Sequence, residues 1–303
     1  MRARFEKPLV NDRRGRGRST RGLPGVVMLL SASTLFAVLA CAPPAAQNQN
    51  AATPTTPAPA ATPAPAATPA PAATPAASAS IVGDITITPF RHASLQLEYA
   101  GRVIHVDPTS AGDYSSAKPA DLILVTHDHA DHFDPKAIAK LRREGAPVVG
   151  AAALAKNFKG LTVLANGQSV TFAGVPVEAV PMYNLPSGPG ARYHQRKQLW
   201  NGYVLTLGAR RVYIAGDTEC TPEIKALKSI DVAFLPMNFP YTMTAAAAAQ
   251  CVKSFKPKVV YPYHYLNQET GKSQDREEFK AALAGESVEV RLLDWYPARG
   301  ANK

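Results

Sequence analysis

The stretch "LILVTHDHADHFD", Leu122 to Asp134, runs from four consecutive aliphatic residues into three histidines and three aspartates within eight positions. A short aliphatic run of this kind reads as a strand covered on both faces. The polar half needs another cause. His127, His129, Asp131 and His132 form H-x-H-x-D-H. Residues two apart in an extended segment point the same way, so His127 and His129 can bind one ion, while a turn lets Asp131 and His132 face a second. A divalent cation offsets the cost of gathering carboxylates and dry imidazoles together. A solvated helix entrance is the plainer alternative, with Asp134 as its cap. It accounts for Asp134 and Asp128 but leaves three of the chain's seven histidines, packed into six positions, unexplained.

Outward from this stretch, "DPKAIAKLRRE" reads as a helix with Asp134 at the N-cap and Pro135 at the first helical position. Upstream, "ITITPF", "ASLQLEYA" and "RVIHVDP" are β-formers, the last two joined as a hairpin at Ala100-Gly101. Downstream, "PVVGA", "LTVLA", "SVTFAG", "VPVEAVPMY", "GYVLTLG", "RRVYIAGD", "DVAFLPMN", "KVVYPYH" and "VEVRLLDW" read as strands. "CTPEIKALKS", "TAAAAAQCVKSF" and "SQDREEFKAALAG" read as helices. Hairpin-rich strands interspersed with covering helices predict two sheets packed face to face with helices outside.

The first eighty of the 303 residues do not look foldable. Residues 1–22 carry eight basic against two acidic side chains and precede the uncharged run "LPGVVMLLSASTLFAVLAC". That order predicts an export signal over 1–40; an uncleaved anchor is the alternative, since the apolar run is near the lower limit of a membrane span. Residues 41–80 are Ala, Pro and Thr with a few small polar residues, and "ATPAPA" recurs at Ala61 and Ala67. With no large apolar side chain to bury, they predict an extended, disordered linker. The domain is expected over 81–303, and about 220 residues suffice for one well-buried core. The net charge of +10 falls to +4 once the leader is set aside, which gives no case for nucleic acid as a partner. Cys220 and Cys251 make no zinc-finger spacing. A disulfide between them stays open; two unpaired cysteines are the expectation, Cys220 as a small helix-start residue.

H-x-H-x-D-H together with "GDT" at Gly216 to Thr218 and the strand-end His264 resembles the metallo-β-lactamase superfamily. "RHASLQLEYAGRVIHVDP", "THDHADHFD", "IAGDTE" and "YPYHY" are similar to the branch containing ascorbate-6-phosphate lactonase and N-acyl-phosphatidylethanolamine phospholipase D. "VLAC" at Val38 to Cys41 resembles the lipobox of bacterial lipoproteins. The first resemblance implies an α/β, four-layer αββα sandwich holding two divalent ions, with zinc expected and manganese or iron the alternatives. It implies His127 and His129 at the first ion, Asp131, His132 and His264 at the second, and Asp217 between them. Taken alone, Asp217 could be a turn acid and His264 a satisfied core imidazole.

One position departs from the family pattern. Where a further first-site histidine usually follows "AVPMY", this chain has Asn184. A neutral amide oxygen is a poor zinc ligand. His194, ten residues on, is the expected replacement; Asn184 itself or a vacant position stay open. By the same resemblance His92 and Asp107 lie beside the metals, Asp107 accepting the far N–H of a ligand imidazole. A turn aspartate and a surface hairpin histidine are the competing readings, and His105 is structural.

The implied function is a metal-dependent hydrolase that turns an activated hydroxide on an ester, lactone or phosphodiester, with Asp131 orienting the nucleophile and taking its proton. A metal-dependent redox enzyme or a surface-anchored binding module with an impaired metal site are the alternatives. Arg192, Arg196 and Lys197, with Tyr193, Trp200, Phe239 and Tyr241, would recognise a small or lipid-like anionic substrate. Lipidation at Cys41 would hold the exported protein to a membrane, facing the periplasm or the cell exterior. Nothing in the sequence sets the oligomeric state.

Overall fold

The computed structural model describes residues 79–267 and 269–297. The export signal at 1–40, the lipidated Cys41 and all but the last two residues of the 41–80 linker lie outside the described residues. Among the described residues, no helix is long and apolar enough to cross a membrane.

One seven-stranded sheet runs in chain order through β1 (Ser80–Val82), β2 (Ile85–Arg91), β3 (Ser94–Tyr99), β4 (Arg102–Val106), β5 (Leu122–Leu124), β6 (Val148–Gly150) and β7 (Leu161–Val163). The second runs from its edge at β8 (Ser169–Phe172) through β9 (Val175–Pro181), β10 (Asn201–Leu207), β11 (Arg210–Ile214), β12 (Val232–Pro236), β13 (Val259–Tyr263) and β14 (Glu289–Val290). Each sheet joins an antiparallel ribbon to a parallel set. In the first, β1 to β4 are antiparallel and β4 to β7 parallel. In the second, β8 to β11 are antiparallel and β11 to β14 parallel. Parallel neighbours need crossovers, and the helices α1 (Pro135–Leu141), α2 (Pro222–Lys225), α3 (Ala245–Phe255) and α4 (Arg276–Ala282) supply most of them.

Alternation along β5 separates the layers. Leu122 and Leu124 join the central core with Ile85, Leu97, Tyr203 and Phe234 from both sheets. Ile123 points the other way and packs with Val125, Val148 and Ile138 of α1. On the second sheet α3 buries Ala245, Ala248, Ala249, Val252 and Phe255, a spacing of three and four that marks one helical face. Phe255 meets Tyr213 of β11 edge to face at 6.1 Å. The chain therefore forms the expected α/β sandwich of four layers.

Asp134 caps α1, accepting from Lys136 N, with Pro135 next, as the sequence predicts. Several elements are shorter than predicted, and two of them shape the packing. The helix of "CTPEIKALKS" ends at Lys225, and Ser229 then takes a left-handed φ of 53°. The strand of "VEVRLLDW" stops at Val290. Trp295 then leaves the ladder to fill a fully buried place against Tyr263, 5.5 Å between ring centroids.

The unpaired reading of the cysteines is corrected. Cys220 and Cys251 form a disulfide, their Cα atoms 5.5 Å apart across 31 residues of sequence. Cys251 lies on the buried face of α3. That face packs beside the segment leaving β11, a contact that spacing cannot reveal.

Candidate metal centre

The parallel strands bring their C-terminal ends to one place, where ligands of open α/β sheets gather. β4 leads to Asp107, β5 to Thr126 and His127, β11 to Asp217, β12 to Asn238, and β13 to His264. Two of these corners bend unusually: Asp107 and His264 have φ of 45°, a left-handed conformation that costs a non-glycine residue about 1–2 kcal/mol. Gly216 is required beside Asp217. Its φ is +66°, and a Cβ there would lie 2.4 Å from Met182 Sδ.

Three groups of ligand atoms form around Asp217, the atoms of each lying within 4.8 Å of one another: His127, His129 and His194; His127, His132 and Asp217; and Asp131, His132 and His264. His127 Nε2 is 3.1 Å from His129 Nδ1. Asp217 Oδ1 lies 3.3 Å from His132 Nε2, and Asp217 Oδ2 lies 3.6 Å from His194 Nε2 and 3.5 Å from His264 Nε2. His264 Nε2 is also 3.2 Å from Asp131 Oδ2. Every residue of the predicted set is thus in one cluster, His194 included.

The chemistry of the donors fits cations. His132 Nε2, His194 Nε2, His264 Nε2 and Asp217 Oδ1 are buried without hydrogen-bond partners, a costly state for polar atoms. The opposite ring nitrogens are engaged. His132 Nδ1 donates to Asp107 Oδ2 at 2.8 Å. Thr126 Oγ1 donates to the same oxygen at 2.7 Å, so it accepts from His127 Nδ1 at 3.0 Å. Asp107 Oδ1 takes the Thr126 N–H at 2.7 Å. One carboxylate therefore sets the tautomer of two imidazoles and leaves both Nε2 lone pairs facing inward. That places Asp107 in the position the resemblance implies.

Electrostatics agree. Burial holds His127 well below the ordinary imidazole range, and its neighbouring histidines add to the shift. Burial likewise lowers His129, against the pull of Asp217. His194 falls to about 4, with burial the main cause. Neutral imidazoles are the form that ligates. His132 is the exception. Burial would lower it, but Asp217, Asp131 and the bond to Asp107 outweigh burial and raise it well above 6.5. The carboxylates respond in kind: burial opposes ionisation of Asp131 and Asp217, yet the surrounding imidazoles hold both far below the usual range. A proton at His132 thus marks the place where positive charge is most favoured.

His92 is buried, which excludes the surface reading. Its ring meets His264 at 5.3 Å, its Nδ1 lies 3.0 Å from the Tyr296 hydroxyl, and its carbonyl accepts from His264 N at 3.1 Å. His105 lies elsewhere, its Nε2 donating to Lys118 O at 2.9 Å and its ring stacked on Phe90. Trp200 is corrected from substrate surface to core support. It is 2% exposed and packs on the rings of His127 and His129 at 5.1 and 5.0 Å. Arg192, Arg196 and Lys197 line a cavity of about 750 Å³ with Tyr183, Leu185 and Asn184. None of the ligand residues lines this cavity, but Asn184, which does, lies 3.3 Å from His194 Nδ1. The cage itself reaches solvent at His129 and Asp131, the latter's side chain 33% exposed.

Sequence reasoning missed Thr126 and Asn238. Thr126 directly precedes His127, and a hydroxyl there could have been noticed. Asn238, whose amide lies 3.5 Å from His264 Nδ1, gives no sequence signal.

Known proteins share this arrangement's framework. Residues 86–264 match the beta-lactamase superfamily domain family. A UPF0173 metal-dependent hydrolase of Thermococcus onnurineus is 35% identical over 217 residues, covering 67% of this chain and 93% of that relative. Among solved structures, a Parabacteroides distasonis protein assigned to the metal-dependent hydrolases is 43% identical with a TM-score of 0.63, covering 70% of this chain and 94% of that one. Igni18, a metallo hydrolase of Ignicoccus hospitalis, is 26% identical with a TM-score of 0.58, over 69% of this chain and 95% of its own. With two thirds of its length matched at this identity, the chain belongs to the beta-lactamase superfamily and is a metal-dependent hydrolase.

Proposed function

We propose that the chain hydrolyses an anionic ester, lactone or phosphodiester at a centre for two divalent ions. His127, His129 and His194 would hold the first ion, Asp131, His132 and His264 the second, and Asp217, within 3.6 Å of His132, His194 and His264, would serve between them. The observation that carries this reading is the set of four inward-facing buried atoms with no hydrogen-bond partner: His132 Nε2, His194 Nε2, His264 Nε2 and Asp217 Oδ1. Imidazole with carboxylate favours zinc; manganese or iron would also be accepted by such a set.

Divalent ions, when bound, supply Lewis acidity and lower the pKa of water from 15.7 towards about 7. The chain's own residues do the rest. Asp131, at the mouth of the cage, orients the attacking solvent molecule and takes its proton. Trp200 and Met182, both buried, exclude water from behind the first-site histidines. Arg192, Arg196 and Lys197 draw the substrate's charge towards the neighbouring cavity, where Leu185, Pro186 and Tyr183 offer apolar contact. Arg196 is partly neutralised by Glu223 at 2.9 Å, which leaves a net positive rim.

The sequence supports export and lipidation at Cys41, with residues 41–80 as a tether of the domain to a membrane surface. Mass spectrometry of the mature N-terminus tests this: a diacylated Cys41 is expected, and an unprocessed Met1 terminus overturns it.

Elemental analysis joined to a panel of lactone, ester and phosphodiester substrates tests the hydrolase reading. Two ions per chain and turnover that chelation abolishes are expected. A metal-loaded protein inert on all three classes would overturn the substrate assignment.

A further inference from the structure

The residue that departs from the family pattern has a clear physical place. Asn184 is buried, and its Nδ2 donates to Tyr241 O at 2.6 Å and Gly190 O at 2.8 Å. Both amide hydrogens are thereby used. Turning the amide over would set Oδ1 against two carbonyl oxygens, so its orientation is fixed. The Asn184 N–H donates to His194 O at 2.6 Å. His194 Nδ1 lies 3.2 Å from the same Tyr241 carbonyl and 3.3 Å from Asn184 Nδ2. Since Nδ2 has no hydrogen left for it, His194 Nδ1 carries the proton and donates to Tyr241 O. The lone pair is then on Nε2, the atom facing Asp217. Asn184 Nδ2 lies beside His194 Nδ1, the nitrogen opposite the one that faces Asp217, while Asn184 Oδ1 is buried without a hydrogen-bond partner.

We propose that Asn184 is a positioning residue: it latches the loop carrying His194 to the Tyr241 carbonyl and so sets the affinity of the first metal site. The inference rests on the hydrolase reading above. The loop from 184 to 200 has only short 3-10 structure at Arg196–Gln198, so no strand or long helix fixes His194. The latch replaces them. Gly190 is part of it, because a Cβ there would lie 2.6 Å from Asn184 Nδ2.

The full chain, stripped of metal, is titrated with zinc by calorimetry and with cobalt(II) by visible absorption. Wild type, Asn184→Ala, Asn184→Asp, Gly190→Ala, His194→Ala and the double variant Asn184→Ala/His194→Ala are compared. Each latch variant should weaken one binding event about 10–100-fold and leave the other in place, the usual effect of losing a ligand's supporting partner. Added to His194→Ala, Asn184→Ala should change nothing further. Asn184→Asp keeps the size but exchanges the two donor hydrogens for an oxygen and a negative charge that Tyr241 O and Gly190 O repel, and circular dichroism of each variant checks that it is folded. Wild-type affinity in Asn184→Asp and Gly190→Ala overturns the latch, as does an additive loss in the double variant. If wild type itself binds no pair of ions, the hydrolase reading fails instead.

Discussion

The two halves of the centre are built by different means. His127 and His132 stand in the segment between β5 and α1, and both answer to one carboxylate, Asp107, through bonds of 2.7 to 3.0 Å. His194 hangs on a loop and its Nδ1 answers to one main-chain carbonyl, Tyr241 O, at 3.2 Å, which the Asn184 amide also grips. The strand-held half is fixed by the parallel ladder of β4 and β5, whose register the core enforces. The loop-held half is fixed only by local hydrogen bonds. Loops carry function where a rigid scaffold positions them, and here one metal group mixes both kinds of support.

Asp217 is the one carboxylate that touches both halves, so its removal should have the largest effect. Asp217→Ala is expected to lose both ions and all turnover, whereas His194→Ala should keep one ion. Metal content by mass spectrometry checks this. Two ions retained in Asp217→Ala would remove it from the centre. Asp107→Asn comes next. It disturbs the partners of both His127 and His132, and about a 10–100-fold loss in metal affinity or activity is expected. A loss confined to one binding event would mean that the Thr126 relay to His127 does not matter.

How much of this was legible in sequence follows from the same division. The strand-held half could be read, because H-x-H-x-D-H, "GDT" and His264 stand at the ends of aliphatic runs whose meaning is local. Asp107 could be placed for the same reason, as the last residue before Pro108. The loop-held half was only half legible. His194 was the remaining histidine of the loop, but Asn184 gave no hint of its bonds to Tyr241 and Gly190, residues brought close only by folding. Trp200 was misplaced because an aromatic in a loop reads as surface, whereas β9 and β10 draw it under His127. The disulfide was hidden likewise. It ties the segment just after Asp217 to α3, and its loss should cost about 3–4 kcal/mol in the chain-entropy account of a loop of 31 residues. Thermal melting with and without reductant measures it; an unchanged melting temperature would mean that the bond is absent in solution.

The smallest effect separates the halves by sign. In the metal-free protein His132 is held above 6.5 by three carboxylates, while burial holds His194 at about 4. A group raised on folding stabilises at low pH, so the contribution of His132 is complete below 6.5 and fades as pH rises through its folded value. A group lowered on folding acts oppositely: between pH 6.5 and about 4 the unfolded chain binds a proton that His194 refuses, so stability falls as pH drops through that window. Each proton is worth at most about 1.4 kcal/mol per pH unit. Denaturant unfolding of the metal-stripped protein should therefore show His194→Gln flattening the profile from pH 6.5 to 4, and His132→Gln flattening it above 6.5. If both variants altered the same limb, the two imidazoles would sit in equivalent fields, and the contrast between a charge-caged strand end and a dry loop would be lost.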